Sequence, residues 1–78
     1  MNKARRKKLE EIINALEEQR GNLEEVFSEE RDAFDNLPEG IQYSERGEQM
    51  EENADVLESA YDSLDAVISD IQDVLDAN

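Results

Sequence analysis

The chain has 78 residues with 22 acids, eight bases, no Cys and no His, for a formal charge of −14. That size allows one small domain with little room for a deep active-site pocket. The missing residue types remove disulfides, thiolate chemistry, the commonest general base and the commonest metal ligand. No apolar run is long enough to cross a membrane, and the charged start does not read as a signal peptide, so a cytoplasmic protein is expected. Val, Ile, Leu and Phe together supply only 18 positions, close to the level at which a highly charged chain stays disordered. The spacing of those positions therefore decides between order and disorder.

A first helix is predicted over about residues 2–36. It opens on Lys3, Arg5, Arg6, Lys7 and Lys8, which are unfavourable for the dipole of their own helix. Leu9, Leu16, Leu23 and Leu37 then fall on one seven-residue lattice, with Glu30 at the missed position. Ile13, Phe27 and Phe34 lie four residues after lattice points, and Arg20 fills the gap in that row. Gly21 costs about 1 kcal/mol relative to Ala inside a helix and allows a bend there.

Pro38 disfavours a helical conformation for Leu37, so the first helix ends near Asn36 and a loop covers about residues 37–43. Leu37, Ile41 and Tyr43 are expected to cap the end of the core. Glu39, Tyr43, Glu45 and Arg46 form one candidate contact site, because ordered loops held on rigid helices carry contacts. Ser44 reads as the N-cap of a second helix, with Glu45 in its favourable first turn. The capping box is incomplete, since Gly47 stands where a Glu or Gln would reach back.

The second helix is predicted over about residues 44–77. Met50, Leu57, Leu64 and Ile71 form one row, and Ala54, Tyr61, Ile68 and Leu75 the row four residues on. Ala60, Val67 and Val74 widen the stripe beyond a bare two-stranded coiled-coil seam, toward the width of a bundle core. Glu48, Glu51, Glu52, Asp55, Glu58, Asp62 and Asp65 run along the face away from that stripe. Residues 41–78 carry eleven acids and one base. A field of one sign attracts basic patches and speeds association with them, although a solvated face that keeps a small bundle soluble has the same composition.

The expected architecture is all-α, a single helical-hairpin domain over residues 1–78 in which two antiparallel helices pair. That register sets Leu9 against Ile71, Leu16 against Leu64, Leu23 against Leu57, Leu37 against Tyr43, and Arg20 beside Tyr61. It also lays the basic start beside Asp70, Asp73 and Asp76 and the negative C-terminal end of the second helix, which makes the cluster a specifier of antiparallel pairing. Five bases on so acidic a body are a poor handle on DNA, so no direct nucleic-acid contact is expected. Two helices of about 50 Å bury only one side of each stripe. A homodimer, closing a four-helix bundle, is the expected remedy, with an interface at Leu16, Leu23, Val26, Phe27, Phe34, Leu57, Leu64, Val67, Ile71 and Val74. A helix or groove of another protein is the alternative cover.

No catalytic, cofactor-binding or metal-ligating residue is predicted. Adjacent acids such as Glu10-Glu11 or Glu51-Glu52 diverge around a helix and form no dyad. Di-iron bundles need Glu-x-x-His, calcium loops need acids interleaved around a Gly, and no phosphate loop or Ser elbow is present. The chain is expected not to be an enzyme.

Asn36-Leu37-Pro38-Glu39-Gly40, followed by Ser44-Glu45-Arg46-Gly47-Glu48-Gln49-Met50-Glu51-Glu52, resembles a segment of small acidic helical proteins of phages and prophages. The resemblance covers about 17 of the 78 residues and carries over no catalytic or binding residue. It implies a mobile-element origin, where small acidic proteins bind and block host proteins. The resulting expectation is an inhibitor whose acidic face occupies a basic surface of a bacterial host protein, one that handles nucleic acid or serves defence. A self-assembling structural bundle with a merely solubilising surface is the alternative.

Overall fold

The computed structural model describes residues 1–78 as a rod of 59 × 15 × 13 Å. It consists of α1 (Lys3–Asp35), a single turn α2 (Glu39–Gln42) and α3 (Glu45–Ala77), with no strand. The two long helices lie side by side as a hairpin, so the principal pairing is α1 with α3.

Both ends of the hairpin are capped by groups that satisfy the orphan backbone N–H donors of a helix start. The Asn2 side chain accepts from the Arg5 N–H at 2.8 Å, and the Ser44 hydroxyl accepts from the Gly47 N–H at 3.3 Å. Ser44 is thus the cap that the sequence predicts. Gly21 produces no break, and α1 runs through it.

The seven-residue rows form the contact between the helices. Ile13, Ile68 and Leu75 are buried there, with Leu9, Leu16, Leu64 and Ile71 packed around them. Leu23, Phe27 and Phe34 on α1, Leu37 just beyond its end, and Met50, Leu57 and Tyr61 on α3 continue the seam half-buried, and Ala54 is buried. Phe27 meets Tyr61 edge to face, with ring centroids 5.8 Å apart, the geometry that aligns the positive ring edge with the negative face. Seven of the ten residues expected between copies, Leu16, Leu23, Phe27, Phe34, Leu57, Leu64 and Ile71, therefore face this intramolecular seam; Val26, Val67 and Val74 stay exposed.

The seam has two unlike edges. Residues that follow one row, Glu10, Glu17, Glu24 and Arg31 on α1 with Glu51, Glu58, Asp65 and Gln72 on α3, are charged in all but one case. Residues that precede the other row, Ile12, Gln19, Val26 and Ala33 on α1 with Asn53, Ala60, Val67 and Val74 on α3, carry no charge at all and are all exposed. In an antiparallel pair these two sets flank the seam on opposite sides. Cross-helix ion pairs occupy the charged edge: Arg20 holds Asp65, and Arg31 holds Glu58 and, at 3.2 Å, Asp55.

The basic start lies at the negative C-terminal end of α3, as the antiparallel register predicts, and Arg6 donates there to the Leu75 carbonyl at 3.0 Å. It forms no ion pair with Asp70, Asp73 or Asp76, and Arg6 pairs instead with Glu10 one turn on. One expected placement is corrected. Tyr43 does not cap the core; it closes the single turn α2 within the expected loop and is 77% exposed.

Candidate partner-binding site

The turn between the long helices is fixed by polar geometry. The Ile41 and Gln42 N–H groups both return to the Pro38 carbonyl, at 2.8 and 3.0 Å, which makes α2. The Gln42 amide nitrogen donates to the Phe34 carbonyl at 3.1 Å, covering the open end of α1. Gly47 is buried against this turn, and a Cβ built on it would sit 2.2 Å from the Gln42 carbonyl oxygen and 2.5 Å from that of Ile41. The residue that leaves the capping box incomplete is therefore the one that lets the turn close onto α3. A Glu there has no room for even its first side-chain atom.

This closure sets the turn against the first two turns of α3 and creates an open groove of about 520 Å³. Phe34, Gln42, Tyr43, Glu48, Glu51, Glu52 and Asp55 line it. A second hollow adjoins it between Arg31, Asp35 and Ala54, sharing Phe34, Glu51 and Asp55. The acidic face and the loop, distinct candidates in the sequence, thus meet at one place through Tyr43 and the four acids.

The remaining predicted residues fall elsewhere. Glu39 opens α2, and Glu45 and Arg46 open α3; all three are exposed outside the groove. Asp62 is exposed further along α3, without an ion pair. Glu58 and Asp65 turn to the charged edge, where they hold Arg31 and Arg20, so the acidic row is not one free surface. Glu48, Glu51 and Glu52 carry no cation within the chain. Sequence reasoning missed Phe34, Gln42 and Arg31 as parts of this site. Arg31 was findable, since it is the one base among the residues that follow the leucine row.

Two groups along the charged edge titrate away from their ordinary values. Partial desolvation opposes the Arg31 charge, but hydrogen bonds and attraction from Asp55 and Glu58 outweigh it and raise its pKa. Hydrogen bonding with the Glu24 carboxylate, then partial desolvation, raises the Tyr61 pKa by favouring the neutral phenol.

Chemically, the groove offers carboxylates, an amide and two aromatic rings. Carboxylates accept charge-assisted hydrogen bonds, and a ring face attracts a cation, so Arg or Lys side chains match it. No three acidic side chains converge closely enough to hold a metal ion, and no helix is long and apolar enough to cross a membrane. Comparison with family models, curated proteins and solved structures finds no match.

Proposed function

We propose that this chain is a small non-enzymatic binding module whose acidic groove takes cationic side chains from a basic surface of another protein. The observation that carries this reading is the meeting of Glu48, Glu51 and Glu52, all without internal cations, with the exposed Tyr43 ring and Phe34 at one concave place. Together with the resemblance to phage helical proteins, it favours an inhibitor acting in a bacterial cytoplasm on a nucleic-acid-handling or defence protein. Carboxylates compete with phosphate for the same Arg and Lys residues. The second reading, a self-assembling bundle with a solubilising surface, is favoured by the uncharged edge.

An arginine-rich peptide titrated into the chain by calorimetry tests the groove. Replacing Glu48, Glu51 and Glu52 together by Gln is expected to weaken binding by about tenfold or more, equivalent to about 1.4 kcal/mol. A control that neutralises Glu10, Glu17 and Glu18 removes the same charge far from the groove and is expected to change binding much less. Equal losses from both variants would reduce the acidic surface to bulk charge and sink the groove reading.

A further inference from the structure

We infer that a second copy of this chain covers the uncharged edge, packed antiparallel about a two-fold axis passing close to Gln19 and Ala60. This does not rest on the acidic groove, which opens beside the charged edge and shares only Glu52 with the hollow on the uncharged edge.

Three observations support it. First, the edge is uncharged along its length and apolar at all but Gln19 and Asn53: Ile12, Val26, Val67 and Val74 are between 40% and 51% exposed. Ala33 and Ala60 between them let a neighbouring helix approach closely. A chain of charge −14 meets its own copy with least repulsion along this edge.

Second, the chain exposes 5699 Å², while a compact monomer of its mass exposes about 4,800 Å². The surplus of about 900 Å² is close to the roughly 800 Å² that each partner of a standard interface buries.

Third, charge selects the occupant and its direction. Residues 1–8 and 70–77, at one end of the rod, carry five bases and three acids; residues 29–52, at the other, carry nine acids and two bases. Parallel copies would set the two acidic ends together, whereas antiparallel copies set each basic end over an acidic one. At about 1.5 Å per residue, an axis at Gln19 brings Lys8 of one copy level with Glu30 of the other. Glu30 is half-buried in the seam and has no ion pair in its own hairpin; Lys3, Arg5, Lys7 and Lys8 have none either. Glu30 also lines a hollow with Asn53 and Val56 that opens on this edge.

Light scattering and single introduced thiols test the pairing, in a chain that has no cysteine of its own. The full chain is expected at twice 8.9 kDa, and Val67→Asp is expected to raise the dimer dissociation constant by about tenfold or more. With a short bismaleimide, Ala60→Cys near the axis is expected to yield a covalent dimer. Glu58→Cys on the charged edge and Ala33→Cys far from the axis are expected to stay single. A monomer at high micromolar concentration overturns the inference; so does cross-linking through Glu58→Cys instead of Ala60→Cys, which moves the interface. Efficient cross-linking of Ala33→Cys to itself overturns the antiparallel direction. Because the thiol map is read on a chain that keeps Val67, it decides even if Val67→Asp fails to fold.

Discussion

Near the termini, Ile13, Ile68 and Leu75 are buried together and ringed by four further aliphatic side chains. Near the turn, only Ala54 and Gly47 are buried, Glu30 occupies a seam position, and Arg31 ties the helices together from the edge. The two halves follow one heptad pattern and hold together by different means. Dispersion and apolar burial secure the terminal half, while a close backbone approach, the Ser44 cap and ion pairs shape the turn half. The heptad sets where contacts fall; the side chains at those positions set what kind of contact forms.

The largest effect is expected in the terminal half. Ile68→Ala leaves a cavity in the only buried aliphatic cluster and should cost about 2–5 kcal/mol, measured by urea unfolding at fixed protein concentration. A cost well below 1 kcal/mol would mean that cohesion does not reside in this cluster.

Gly47→Ala sharpens the contrast at the other end. Its Cβ would collide with backbone carbonyls, which yield less readily than side-chain tips, so a loss of about 1–3 kcal/mol is expected. Hydrogen exchange should show lost protection around residues 36–48 with the Ile13–Ile68 region retained. Uniform loss along the rod would mean that the halves unfold as one unit and that their difference has no energetic consequence.

Ser44→Ala removes the acceptor for the Gly47 N–H and should cost about 1 kcal/mol, with Ser44→Asn restoring most of it. An unchanged melting temperature would assign the start of α3 to the Gly47 contact alone.

The smallest expected effect lies at the junction of the halves. In a Tyr43→Phe chain, followed by ultraviolet absorbance, Tyr61 should titrate above the ordinary phenol value of about 10. A raised folded pKa means that the folded state favours the neutral phenol. The associated stability is fully present below the unfolded pKa and is lost as pH rises through the folded one. Glu24→Gln should bring the midpoint back down; no change would remove Glu24 as the cause.

Much of the fold was legible in the residues. The two leucine-rich rows, Pro38 and Ser44 marked both long helices within one or two residues of their ends. The turn was less legible: nothing in Glu39-Gly40-Ile41-Gln42 distinguishes a loop from the single helical turn it forms. Gly47 looked like a defect in a cap, because a capping box is judged from spacing along one helix. The carbonyls that exclude a Cβ at Gly47 belong to residues outside that helix.

The candidate site shows the same division. The seven acids from Glu48 to Asp65 were visible as one row. That Glu58 and Asp65 neutralise arginines while Glu48, Glu51 and Glu52 remain free was not visible. It depends on which residues of α1 lie alongside.

The sequence by itself determined helix, turn, helix and the seam between the helices, because rise and turn per residue are local constants and a seven-residue spacing puts side chains on one stripe. Only the tertiary structure decided which carboxylates hold arginines and where the turn meets α3. Those are distances between groups remote in the chain, and they are set by the offset between two helices that the Gly47 contact and the turn jointly fix.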